Sequence, residues 1–154
     1  NDITGYRLNV VDAACGSRFY NFEKTKDGGT TWTEVNGDPF DQNMGVAEGL
    51  LFFTNDFGFA GLTYASEDFS MLYVTKDGGE TFERLELPLD TVTELPSESA
   101  ELGFTIEDYD YHTMPQIVDG KMEIYLQTDA MEQQGIIFQS EDNGVTWEYA
   151  GCKE

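Results

Sequence analysis

An eight-residue string recurs three times in this chain without gaps, as Thr25-Lys26-Asp27-Gly28-Gly29-Thr30-Thr31-Trp32, Thr75-Lys76-Asp77-Gly78-Gly79-Glu80-Thr81-Phe82 and Ser140-Glu141-Asp142-Asn143-Gly144-Val145-Thr146-Trp147. The shared pattern is hydroxyl, any residue, Asp, Gly or Asn, Gly, any residue, Thr, aromatic. Repetition of this kind restricts a chain to architectures that stack one supersecondary unit. Each copy lies between two runs of strand character: Arg18–Glu23 and Trp32–Val35, Met71–Val74 and Phe82–Leu87, Gly135–Phe138 and Thr146–Tyr149. Asp-Gly or Asn-Gly between such runs is a hairpin signal, because these residues tolerate positive φ.

The residue types of the octet have a local reason. An Asp at the mouth of a turn accepts hydrogen bonds from backbone N–H groups one or two residues on. The glycines take left-handed turn positions, and the aromatic opens the return strand and packs over the turn. Turn stability alone accounts for all of them. Thr25, Asp27, Gly29 and Trp32 are therefore expected to be structural, as are Thr75, Asp77, Gly79 and Phe82, and Ser140, Asp142, Gly144 and Trp147.

These octets resemble the Asp-box, or BNR repeat, found in sialidases, some other glycosidases, sortilin-type receptors and photosystem assembly factors. The departures are mild: Phe82 in the aromatic slot and Asn143 in the first glycine slot. The resemblance implies a β-propeller in which the box joins the third and fourth strands of a blade at its periphery. The strand runs fit this plan. A second unit reads Gly49–Thr54, Phe57–Tyr64, Phe69–Lys76 and Thr81–Leu87. A third reads Tyr111–Val118 and Lys121–Thr128, joined through Asp119-Gly120, then Gly135–Ser140 and a last strand ending near Tyr149. The first unit has Tyr6–Ala13, Ser17–Thr25 and Trp32–Val35, and no readable inner strand.

The expected fold is all-β: a propeller-like stack of about three four-stranded antiparallel blades. It is incomplete or completed by a partner, because closed propellers use four to eight blades. The 154 residues suit one domain, with blade-like units at about 1–40, 45–88 and 108–152. The insertion at 88–110 carries Pro96-Ser97-Glu98 and ends in Gly103, which predicts one short helix.

Thirty acidic against eight basic side chains give a net charge of −22. That field repels nucleic acid and anionic lipid, and no apolar run reaches the roughly 18 residues of a membrane helix. The chain opens on Asn1 rather than Met, which predicts a segment of a longer precursor and a secreted or cell-surface setting. Cys15 and Cys152 have no C-x-x-C spacing, which argues against a thiolate metal site. They leave two states open: a disulfide closing nearly the whole chain, or two separate thiols. No cofactor is expected. Asp108 and Asp110 are the best acidic loop for calcium, without EF-hand spacing.

For chemistry, the resemblance implies an arginine triad, a Tyr/Glu pair and an acid in a true sialidase. This chain has only Arg7, Arg18 and Arg84, with Arg84 on an outer strand, and lacks the arginine motif that precedes the boxes in those enzymes. A glycosidase needs two carboxylates about 5–9.5 Å apart, a condition that thirty acids meet by chance. The local cluster Glu107, Asp108 and Asp110 reads as a solvated loop, and His112, the one histidine, as a satisfied or surface side chain. Phe57, Phe59, Tyr64, Tyr109 and Tyr111 are either core between blades or a stacking surface for sugar or protein. The sequence thus points to a non-catalytic extracytoplasmic binding or scaffold module. Its ligand would be a protein or a carbohydrate, with homo-oligomerisation or further repeats to complete it. The alternative is a glycoside hydrolase-related, sialidase-like enzyme.

Overall fold

A computed structural model describes residues 3–66, 69–128 and 134–153. The chain is all-β, with three antiparallel sheets and one short α-helix. It divides into two compact units. One comprises Asn1–Ala65 and Met71–Leu85, the other Ser66–Ser70 and Glu86–Glu154.

The first unit contains two sheets. Sheet 1 runs β1 (Gly5–Ala14), β2 (Ser17–Thr25), β3 (Thr33–Asn36), in that order. Cys15 and Gly16, with φ of 50° and 87°, form the two-residue turn between β1 and β2. Two positive φ angles in sequence match the right-handed twist of the strands they join. Sheet 2 is a four-stranded meander of β4 (Val46–Phe52), β5 (Gly58–Thr63), β6 (Ser70–Thr75) and β7 (Glu83–Arg84). The inner strand thus starts three residues before the Gly49 expected from the sequence.

Alternation along β2 turns Tyr20, Phe22 and Lys24 to one face. Phe22 is fully buried, stacks with Tyr6 and Phe52 at 6.0 and 5.7 Å, and meets Phe82 edge-on at 5.3 Å. Burial of such a ring is worth about 1.5–3 kcal/mol. β5 and β6 are buried at every position, so they read as continuous apolar runs rather than alternating ones. The loop after β3 adds a second aromatic cluster. Phe40 is 1% exposed and packs edge-on against Tyr73 and Tyr20 at 5.2 and 5.9 Å. The Tyr73 hydroxyl donates to the Phe40 carbonyl at 3.1 Å, and Asn43 Nδ2 donates to that hydroxyl at 3.0 Å.

The second unit begins with the insertion. Helix α1 (Ser97–Leu102) ends at Gly103 in the left-handed conformation, φ 86°, and the next amide, of Phe104, donates to the Ser99 carbonyl at 3.0 Å. This is the start and stop that Pro96 and Gly103 predict. A 3₁₀ turn at Ile106–Asp108 follows, and Asp108 Oδ2 accepts from the Thr105 amide at 2.7 Å and its hydroxyl at 2.9 Å. Asp108 therefore caps a turn. Among the described residues no group of three or more His, Cys, Asp and Glu side chains could hold a metal ion.

Sheet 3 consists of β8 (Tyr111–His112), β9 (Gln116–Val118), β10 (Lys121–Gln127), β11 (Gly135–Ser140) and β12 (Glu148–Lys153). Both β8 and β9 pair with β10, so they are one strand interrupted. Thr113, Met114 and Pro115 face only Ile124 and Tyr125 between the two paired stretches, and Pro115 has no amide hydrogen for the ladder. The hairpin expected at Asp119-Gly120 is present, with φ of 50° and 83°. The last strand starts where the sequence reading ends it and runs on to Lys153, past a bulge at Ala150. His112 is half-buried, and its Nδ1 lies 3.1 Å from the Ser70 carbonyl.

Cys15 belongs to the first unit and Cys152 to the second. The two cysteines have different surroundings. Cys15 is exposed on its β-turn, whereas Cys152 Sγ donates to the Glu94 carbonyl at 3.3 Å and lies 3.6 Å from the Tyr149 hydroxyl. No helix among the described residues is long and apolar enough to cross a membrane.

Candidate functional site at the box hairpins

Each octet closes a hairpin between the last two strands of its sheet: β2–β3, β6–β7 and β11–β12. The three turns share one hydrogen-bond pattern. The first-position hydroxyl donates to the Asp and accepts the amide four residues on. Thr25 Oγ1 lies 2.7 Å from Asp27 Oδ1 and 2.9 Å from the Gly29 nitrogen. The matching distances are 2.9 and 2.8 Å for Thr75, and 2.8 and 2.7 Å for Ser140. The Asp then grips the Thr four residues on through both of its donors. Asp27 accepts the Thr31 amide at 2.8 Å and hydroxyl at 2.7 Å. Asp77 does so with Thr81 at 2.9 and 2.6 Å, and Asp142 with Thr146 at 2.8 and 2.6 Å.

The sequence reading places the Asp acceptor contacts one or two residues on. The chief contacts reach four residues on, because two consecutive left-handed residues curl the loop back under the carboxylate. Those residues are Gly28 and Gly29 (φ 70° and 88°), Gly78 and Gly79 (76° and 94°), and Asn143 and Gly144 (60° and 84°). Asn tolerates this region better than other residues with a side chain. The sequence reading also assigns no task to the first hydroxyl or to the late Thr. Their invariance across three copies was the signal available.

These bonds hold the carboxylates in their ionised form. The hydroxyl and amide of Thr31 and the hydroxyl of Thr25 lower Asp27 from 3.8 to about 2. Asp142 is lowered to about 2 by the corresponding groups of Thr146 and Ser140. For Asp77, desolvation pushes upward, and the bonds from Thr81 and Thr75 outweigh it, so its pKa is also lowered.

The aromatic slot varies with its surroundings. Trp32 donates through Nε1 to the Gly29 carbonyl at 3.1 Å and carries the Arg7 guanidinium 4.3 Å above its ring. Phe82 instead packs on Phe22. Gly79 sits so close to that ring that an added Cβ would fall 2.0 Å from it. Trp147 is buried at 8% exposure.

The boxes also shape two concavities. In the first unit a cavity of about 420 Å³ lies between the first two boxes. Lys24, Lys26, Thr33 and Val35 line it on the sheet 1 side, and Asp77, Gly78 and Glu80 face them. In the second unit a cavity of about 480 Å³ uses the same face of the third hairpin, with Gln139, Glu141, Glu148 and Ala150 at the equivalent positions.

The arginines are dispersed in role. Arg7 pairs with Glu23 at 2.6 Å, the Arg18 backbone bridges to Gly45, and Arg84 lies on β7. Of the aromatics considered for stacking, Phe59, Tyr109 and Tyr111 are core at 0, 3 and 7% exposure, and Phe57 is half-buried. Tyr64 is the exposed one, at 46%. Compared with known proteins, the chain matches no family model and no curated protein sequence.

Proposed function

We propose that this chain is a non-catalytic binding or scaffold module of Asp-box, propeller-type blades that works outside the cytoplasm. The observation that carries this reading is the engagement of all three box carboxylates. Each is held within its own turn by a hydroxyl on one side and a Thr amide and hydroxyl on the other. A carboxylate held this way, at depressed pKa, suits a clasp better than a proton donor.

The strand order supports the blade reading. Sheets 2 and 3 are meanders closed by a box between their last two strands, the place the box has in the resembling family. Sheet 1 has the outer three strands of that plan and lacks the inner one. Completion by further repeats or by a second chain is part of the proposal.

The test pairs a binding assay with a turnover assay. The chain is screened for retention on glycan and protein arrays and for hydrolysis of aryl glycosides. Saturable binding without hydrolysis is the expected result. Hydrolysis that one carboxylate substitution abolishes would replace this reading with the glycosidase one.

A further inference from the structure

From the cavity beside the first box we infer a binding site for a small polyhydroxylated carboxylate, of the hexuronate class. The inference deepens the binding-module reading and rests on it. The cavity, about 420 Å³, falls in the range of small-ligand sites, roughly 300–1,000 Å³.

The first observation is charge. In a chain of net −22, two of only eight cationic side chains line this one cavity. Lys24, on β2, and Lys26, at the start of the turn, both line it. Lys26 is exposed, and the ion pairs seen among the described residues, Arg7–Glu23 and Lys121–Glu141, do not involve it. Lys24 is half-buried, lies 5.2 Å from the Tyr6 ring centre, and reaches the Asn55 carbonyl only at 3.5 Å. An ammonium has three donors, so Lys24 retains donors for a ligand. Asp77 and Glu80, both acidic, line the same cavity, so its charge is divided: a cationic end at Lys24 and Lys26 and an anionic end at Asp77 and Glu80.

The second observation is an internal control. Aligned on the octet, Lys24, Lys26, Thr33 and Val35 correspond to Gln139, Glu141, Glu148 and Ala150. The third hairpin makes the same clasp and a cavity of about 480 Å³, yet it lines that cavity with acid, and its Lys121 is paired to Glu141 at 2.7 Å. The clasp therefore does not require lysines. The lysine pair lines the first cavity and is absent from the equivalent positions of the third hairpin.

The remaining lining narrows the ligand. Thr33 offers a hydroxyl, Glu80 an acceptor for ligand hydroxyls, and Val35 an apolar ledge for a C–H face. A carboxylate at the lysine end with hydroxyls spread over Thr33 and Glu80 is the chemistry of an acid sugar.

The test is calorimetric titration of the full chain with sodium glucuronate, with glucose and sodium sulfate as controls. Saturable glucuronate binding is expected, weakened at least tenfold by K26Q and by K24Q and reduced by added salt, with no binding of glucose. K26Q is at an exposed position and leaves melting unchanged, so the test holds even if K24Q disturbs the fold. Sulfate binding as well as glucuronate, or full affinity in K26Q, overturns the assignment. If glucuronate fails to bind while the chain still binds on the arrays, this site falls and the binding-module reading stands. If glucuronate binds and is chemically altered, the site stands and the non-catalytic reading falls.

Discussion

A methyl group placed at Gly79 tests whether the second box is packed as the structure shows. Gly79 has φ +94°, and an added Cβ would lie 2.0, 2.5 and 2.7 Å from three atoms of the Phe22 ring. The ring has little room to yield, since Phe22 is fully buried and has Tyr6, Phe52 and Phe82 against it. The left-handed conformation costs a residue with a side chain about 1–2 kcal/mol, and overpacking a filled core adds about 1–3 kcal/mol. Gly79→Ala is thus expected to lose about 2–5 kcal/mol. Gly28 is the control in the first box: its φ is +70°, and nothing lies within 4 Å of an added Cβ. Gly28→Ala bears only the conformational cost, about 1–2 kcal/mol. Urea denaturation followed by Trp32 fluorescence in a Trp147→Phe background reads the first unit for both variants. Equal losses in the two would refute the packing argument and leave backbone strain as the whole effect.

Two further outcomes follow from the clasps and the thiols. Asp27 and Asp142 have folded pKa values lowered to about 2 from 3.8. Their contribution is complete above the unfolded value and is lost as pH falls from about 4 to about 2. Melting temperature is expected to fall over that window, and less steeply in Asp27→Asn; an unchanged slope would count against the clasp. Cys15 is exposed and Cys152 half-buried beside Glu94 and Tyr149, so a thiol reagent is expected to titrate two thiols per native chain, Cys15 first. No reactive thiol until reductant is added would instead show a Cys15–Cys152 disulfide.

The hairpins were legible because their causes are local. Asp-Gly and Asn-Gly pairs, a positive-φ requirement and flanking strand runs lie within a few residues of each other. The short helix was legible for the same reason, from Pro96 and Gly103. What was not legible depends on partners distant in sequence. The Phe40 loop carries no strand or turn pattern that marks it as core, yet Tyr73, some thirty residues on, fixes it in place. Thr113–Pro115 interrupts a strand that propensity alone would continue, because the register of β10 decides where the extra residue goes. The lysine-lined cavity was hidden for a related reason. Lys24 and Lys26 read as ordinary surface residues until Gly78 and Glu80 are placed across from them.

The exposed edge of sheet 1 leads to the last expectation. β1 has ten residues and, among the described residues, pairs on one side only, with β2. Its counterparts β5 and β10 are each flanked on both sides and are largely buried, whereas Val10 and Val11 of β1 are 46 and 54% exposed. A long edge strand with exposed β-branched residues offers unpaired N–H and C=O groups to any strand that meets it, unless a charge or a proline blocks the approach. Val10 and Val11 lie at the bulge in β1, where the register with β2 shifts between Val10 and Asp12, and Arg7 is already held by Glu23. Nothing else on that stretch blocks pairing except Asp12. The chain is therefore expected to self-associate through β1 as concentration rises, since a second copy can add a strand to this edge. Sedimentation equilibrium of the chain beside Val10→Lys decides the matter. A concentration-dependent mass that Val10→Lys returns to the monomer supports completion in trans. A monomer at all concentrations in both would show that the exposed edge is tolerated as it stands, and that an outer three-stranded sheet of this kind needs no partner.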